Sequence, residues 1–186
     1  MSYAFITNFQ SPTELADLID RYKEDEGYTN LDYVLDEDAF DSLEWTVDKD
    51  AKIGDLVFFM CAKTSADHMG HVCAEARRNG DEDIIDFAEE KRKLYKRYAG
   101  KIVAIGTLMT DPYQEDNKLF PNQHWRSPWY AKISAILRLV DSVDISEFRE
   151  FITVSRTGAI TKLDKAQTER LYGIVMMRQM TNELAD

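Results

Sequence analysis

Apolar residues recur along this chain in two rhythms, and the alternation between them predicts an α+β fold. Near the start Tyr3, Phe5 and Phe9 share one parity, the period-2 signature of a short strand. Pro12 then opens a helix from about Thr13 to Glu24, with Ser11 as N-cap and Gly27 past its end. The run Leu56-Val57-Phe58-Phe59-Met60-Cys61 is continuously apolar, which predicts a strand buried on both faces after the turn Lys52-Ile53-Gly54-Asp55. Two helices follow. Thr64 or Ser65 caps the first and Asn79-Gly80 ends it. The second runs from about Asp81 to Tyr98, with Ile84, Phe87, Ala88, Leu94, Tyr95 and Tyr98 along one stripe and Gly100 as its stop.

Ile102 to Met109 reads as another strand, and Trp129 to Val140 as the clearest of all. There the odd positions Ala131, Ile133, Ala135, Leu137 and Leu139 are uniformly apolar, while Tyr130, Lys132, Ser134 and Arg138 alternate with them. That pattern predicts one buried and one mostly polar face. From Asp32 to Asp50 the rhythm is weaker; Tyr33, Val34, Phe40, Leu43 and Trp45 are enough to order the stretch, and a short helix or irregular segment is expected. Ser146 to Phe151 predicts a short helix, and Phe151 to Val154 the start of an edge strand. Asp164 with Gln167 forms a capping-box pattern for a last helix whose apolar side is Leu171, Ile174, Val175 and Met177. No repeat or linker interrupts the chain, so residues 1–186 read as a single domain.

Composition adds a compartment and a charge problem. The two cysteines, Cys61 and Cys73, fall in apolar or helical stretches and are expected as buried, reduced thiols. No apolar run approaches the ~20 residues of a bilayer span, and Met1 to Phe5 lacks a secretory pattern, so a cytoplasmic protein without membrane contact is expected. The net charge of −11 excludes coating of nucleic acid by bulk electrostatics. The charge is uneven, however. Asp32, Asp36, Glu37, Asp38, Asp41, Glu44, Asp48 and Asp50 face a single Lys49, whereas Asn117 to Val140 contains no acid and carries Lys118, His124, Arg126, Lys132 and Arg138. A local basic surface follows, suited to a short contact with phosphates.

Catalytic signals are sparse. His68 and His71 would share a helix face, but helical zinc histidines usually stand four apart and Cys73 projects elsewhere, so no metal and no cofactor is expected. Asp86, Glu89 and Lys91 resemble a nuclease D…E-x-K pattern only in spacing; in one amphipathic helix they read as a solvated face. There is no G-x-S-x-G elbow, P-loop or G-x-G-x-x-G, and no histidine is placed to activate a thiol. No catalytic residue is assigned.

What remains is the proline-bounded segment Phe120-Pro121-Asn122-Gln123-His124-Trp125-Arg126-Ser127-Pro128-Trp129-Tyr130. Indole rings on a connection need either a core pocket or a ligand, and aromatic rings stack on unpaired bases. Trp45, His124, Trp125, Arg126 and Trp129 are therefore the candidate ligand-binding residues, with Lys118, Lys132, Arg138 and Arg156 as candidate phosphate contacts. The alternative is that a tryptophan plugs the end of a barrel, the favoured reading for Trp129.

The order of these pieces resembles the PUA-like superfamily, in particular the EVE-type domains related to YTH and ASCH domains. The resembling residues are Trp45 followed by Lys52-Ile53-Gly54-Asp55-Leu56-Val57-Phe58-Phe59, then Tyr98-Ala99-Gly100-Lys101-Ile102-Val103-Ala104-Ile105-Gly106-Thr107-Leu108. Trp129-Tyr130-Ala131-Lys132-Ile133 and Ser155-Arg156-Thr157-Gly158-Ala159-Ile160-Thr161-Lys162-Leu163 complete the series. The resemblance covers roughly Phe40 to Val175 and implies a small mixed β-barrel flanked by helices. It also implies a pocket for a flipped, often modified base, with Trp45, Phe58, Trp125 and Arg126 near it. On this reading the barrel core spans about 40–175, a helical insertion spans about 64–98, and a strand-helix extension spans 1–39. The chain departs from the family in that long insertion, in its acidic extension and in lacking the ASCH G-x-K-x-x-E-x-R pattern. The expected function is non-catalytic binding of RNA or DNA, single-stranded or through a flipped base. Two alternatives stand beside it: a protein partner docked on the acidic face 32–50, and a small-nucleotide enzyme with His124 as general base.

Overall fold

The computed structural model describes residues 4–24, 26–36, 42–79, 81–114, 129–155 and 159–183. Its centre is the apolar run of the sequence, strand β3 (Leu56–Cys61), which pairs parallel with β1 (Ala4–Phe9) and antiparallel with β4 (Lys101–Leu108). Both faces of β3 are buried as expected: Val57, Phe59 and Cys61 point one way, and Phe58 and Met60 the other. Five further pieces complete the architecture around it. They are β2 (Ser42–Thr46), β5 (Tyr113–Gln114), β6 (Trp129–Asp144), β7 (Ile160–Leu163) and a 3-10 turn at Ile145–Glu147. The sheet has seven strands in the order β2-β6-β4-β3-β1-β7, with β5 paired to β6.

Two expectations change here. The strand assigned to an N-terminal extension is interior, bonded to β3 on one side and to β7 on the other. The acidic stretch yields α2 (Asn30–Leu35) and then a strand, because buried Leu43 and Val47 flank half-buried Trp45 at every second position with Glu44 exposed between them.

Helices cover both faces. α1 (Leu15–Glu24), α2, α3 (Ser65–Asn79) and α4 (Glu82–Tyr98) share one core with Phe5, Phe9, Val57, Phe59, Ala131 and Ile133. On the other face α5 (Lys165–Glu183) lays Leu171 and Val175 over Ile6, Phe58, Met60 and Leu139. The α3–α4 pair sits between β3 and β4, as the helical rhythm predicted. The capping chemistry also holds: Asp81 accepts from the Ile84 amide at 3.2 Å, and Gln167 N donates to Asp164 Oδ1 at 2.8 Å. Met177 does not join the apolar side of α5; it is 72% exposed.

The uniform odd-position pattern of β6 did not produce one buried face. Along β4 two steps separate Ile105 from Thr107, but along β6 three separate their partners Leu137 and Ser134. The extra residue is a β-bulge, and it turns the following side chains over. Ala131 and Ile133 therefore enter the α1–α4 core, Leu139 enters the α5 core, and Leu137 is 42% exposed. Gly106 lies opposite the bulge. A Cβ there would meet Ile133 Cγ2 at 2.6 Å and Ile136 Cγ1 at 3.3 Å.

The sheet is open and curled rather than closed. β2 and β1 are separated by β6, β4 and β3, which in a flat sheet places them about 19 Å apart at ~4.8 Å per strand. Yet Trp45 Nε1 on β2 donates to Thr7 Oγ1 on β1 at 3.0 Å. No pairing joins the edges β2 and β7 among the described residues. Leu15, Leu18, Leu31 and Val34 from the helices fill the concave side instead, so burial there needs no closing strand.

The crowding over Gly106 generates a prediction. Gly106→Ala forces Ile133, a β-branched residue with no exposure, to shift, and should cost about 1–3 kcal/mol. Urea denaturation measures it; an unchanged midpoint would show that the bulge tolerates a side chain.

Candidate ligand-binding region

β5 and β6 form a hairpin base through the pairs Gln114↔Trp129 and Tyr113↔Tyr130. On its other side β6 meets β2, with Thr46 opposite Tyr130 and Val47 N donating to Trp129 O at 3.0 Å. Tyr113, Trp129 and Tyr130 are each half-buried, and Trp129 packs against the α1–α4 core. The Tyr113 hydroxyl donates to the Glu44 carboxylate. Lys132 is exposed and lies opposite Glu44 in the β2–β6 register. The connection from Gln114 to Trp129 holds Lys118, His124, Trp125 and Arg126; these four, and Arg156, lie outside the described residues.

The remaining candidates do not converge. Trp45 belongs to the concave interior, where its ring meets Phe9 edge-on at 5.9 Å and Phe59 at 5.5 Å while its N–H is used by Thr7. It acts as a plug. Phe58 is fully buried on the opposite face, under α5, so the aromatic partner of Trp45 is its neighbour Phe59. Alternation along a strand forbids both phenylalanines from sharing a side. Arg138 turns beneath α2, where its Nε donates to Val34 O at 3.0 Å. One terminal guanidinium nitrogen of Arg138 is buried there without a hydrogen-bond partner. The structure thus brings Trp45 and Trp129 to one core, puts Arg138 beneath α2 on that same side, and separates Phe58 and Lys132 from them.

Much of the acidic stretch is used internally. Asp32 Oδ1 accepts from Lys91 Nζ at 2.8 Å, and its Oδ2 accepts from Thr29 N and Oγ1. Tyr95, fully buried, donates to Thr29 Oγ1 at 2.9 Å, and together these bonds fasten the start of α2 to α4. Asp48 and Asp50 both hold Lys162 of β7, at 3.0 and 3.2 Å, which raises the affinity of that amine for its proton. Glu37, Asp38 and Asp41 lie outside the described residues.

The helix face of Asp86, Glu89 and Lys91 divides. Asp86 is exposed and Glu89 pairs with Arg77 and Arg92, but Lys91 is only 7% exposed. Both thiols are buried, and burial pushes the Cys61 thiol up to about 12. His68 is half-buried and His71 exposed on α3. No cluster of His, Cys, Asp or Glu suited to a metal ion occurs among the described residues. None of their helices is long and apolar enough to cross a membrane.

Sequence reasoning missed a groove of about 780 Å³ between the end of α1, α2 and α4, lined by Tyr22, Glu26, Tyr28, Asp36, Phe87 and Glu90 among others. Its signal was weak: Phe87 at the edge of the α4 stripe and the Glu26-Gly27 pair that ends α1. Both of those residues have positive φ, 51° and 80°. Gly27 also leaves room for Phe87, whose Cε2 would stand 3.1 Å from an added Cβ.

No family model matches the chain, and no curated protein matches it. Among solved structures it is similar to the crystal structure of protein Atu2648 from Agrobacterium tumefaciens, a structural-genomics target. The two are 10% identical, with 91% of this chain and 90% of that one covered at a TM-score of 0.46.

Two stability predictions follow from the geometry. Trp45→Ala should destabilise the protein by about 3–5 kcal/mol, as loss of a core aromatic does, and Trp45→Phe by about 1–2 kcal/mol. Thermal or urea unfolding reads both; a Trp45→Ala variant of native stability would contradict the plug. Lys91→Met removes the ion-pair partner of half-buried Asp32 and should cost about 1–3 kcal/mol, whereas Lys91→Met with Asp32→Asn should recover part of that loss. A double variant as unstable as the sum of the singles would show that the pair does not couple.

Proposed function

We propose that the protein is a PUA-like, non-catalytic module of the cytoplasm that binds nucleic acid through the β5–β6 hairpin and its connection. One observation carries the reading: Gln114 and Trp129 are paired, so the connection between them, which holds Trp125 and Arg126 as well as Glu115 and Asp116, is tethered at both ends to one sheet corner. Tyr113 and Tyr130 stand half-buried as a cross-strand pair at that corner, where rings can stack on unpaired bases. Lys132 is exposed on the next turn of the pleat, and no acid occurs from Asn117 to Val140. With Trp45 and Phe58 committed to the cores and Trp129 packed against one of them, the stacking surface is made of the cross-strand pair Tyr113 and Tyr130 with the connection residues His124, Trp125 and Arg126. Lys118 and Arg126 supply the phosphate contacts, and such few contacts give a shallow dependence on salt.

Fluorescence anisotropy with labelled single-stranded DNA and RNA, modified and unmodified, tests the reading. Wild-type protein should bind at low salt. Trp125→Ala should weaken binding about tenfold or more, the loss expected of one stacked base, with the melting temperature unchanged. Arg126→Ala should lower the salt slope by roughly one. No binding at 50 mM salt, or equal binding by the Trp125→Ala, Arg126→Ala double variant, would overturn the proposal.

A further inference from the structure

The groove between α1, α2 and α4 differs in chemistry from the hairpin corner and calls for a different ligand. Two aromatic rings form part of its wall, Tyr22 and Phe87, with centroids 5.0 Å apart and planes tilted by 53°. Four carboxylates line it, Glu26, Asp32, Asp36 and Glu90, against the single cation Lys91. Lys91 is already neutralised by Asp32 at 2.8 Å, and its Nζ lies 5.2 Å from the centre of the Phe87 ring. An ammonium therefore already occupies part of this wall by cation–π attraction, held by a carboxylate beside it. Glu26 and Glu90 are exposed and form no ion pair among the described residues. The negative field is visible in Tyr28, whose phenol is held above its ordinary value by its bond to Asp36 and by the charges of Asp36, Asp32 and Glu26.

We infer that this groove docks an arginine- or lysine-bearing segment of a partner protein. Its volume falls within the range of ligand clefts. A phosphate-bearing ligand meets uncompensated carboxylates there, and a purely apolar one strands them. Cationic side chains satisfy both the rings and the acids. The two exposed carboxylates come from separate places, Glu26 after α1 and Glu90 within α4, so they do not converge on one point. Spaced charges of that kind suit successive cations on a polypeptide better than a lone small amine. The inference stands apart from the nucleic-acid reading, since no residue of the hairpin corner lines the groove.

Isothermal titration with a blocked peptide of alternating arginine and glycine tests the groove, with the citrulline-for-arginine peptide as an uncharged counterpart. The arginine peptide should bind and the citrulline peptide should not. Glu26→Gln with Glu90→Gln should weaken binding about tenfold or more, Phe87→Leu should also weaken it, and Trp125→Ala should leave it unchanged. Glu75→Gln with Glu150→Gln removes the same charge elsewhere on the surface and should alter affinity less than twofold. Equal loss in that control would reduce the effect to the bulk charge of an acidic protein and overturn the proposal. Absence of binding by wild-type protein would overturn it as well. Circular dichroism of each exposed-site variant confirms that its fold is retained.

Discussion

β6 carries one residue more than β4 between the pairs Ile105↔Leu137 and Thr107↔Ser134, and a strand with an odd surplus must turn its side chains over. That reversal lets one long strand serve two cores, feeding Ile133 to the helical side and Leu139 to α5. It also bends the sheet, and Gly106 supplies the space in which Ile133 and Ile136 both lean over β4. Without the bend Trp45 could not reach Thr7 across three intervening strands. The interior of the curled sheet, its aromatic filling and the covering helices all follow from that geometry.

Covering the concave side brings α2 and α4 together, and polar groups rather than shape alone set their contact. Thr29, Asp32, Lys91 and Tyr95 satisfy one another, with Thr29 and Tyr95 fully buried and Asp32 and Lys91 at the edge of the groove. A partly satisfied network in such a place is costly, so the arrangement is specific as well as adhesive. The same contact brings Phe87 against Gly27 in the α1–α2 elbow, and the acidic groove opens beside them. The groove is thus a by-product of how the helices are locked: Asp32 and Lys91 of the lock form part of its wall, and Glu26 and Glu90 remain exposed beside them.

The described part of the β5–β6 corner is not free of acid, because Glu44 lies opposite Lys132 there. The carboxylates gathered around α1, α2 and α4 lie away from the β5–β6 corner in the fold, and Asp48 and Asp50 are occupied by Lys162. Long-range repulsion of nucleic acid by a net charge of −11 remains, so any contact at the corner depends on stacking and on a few close phosphate bonds rather than on attraction at a distance.

The pattern of residues along the chain was sufficient for the buried strand Leu56–Cys61, the paired helices after it, the capped last helix and the mixed character of the fold, because each depends on local periodicity or local capping. It was also sufficient to single out Trp45, Trp129 and the acid-free segment as unusual. It was not sufficient to say that Trp45 fills a core or that Phe59 rather than Phe58 meets it, because a strand's two faces look alike until neighbouring strands assign them. Nor could it show that Arg138 turns inward beneath α2, since a bulge shifts phase without changing composition. The interior place of β1, the curl of the sheet and the acidic groove were decided only by tertiary structure. Each arises from residues tens of positions apart, whose meeting depends on sheet order and on helix packing, and no local rhythm encodes those.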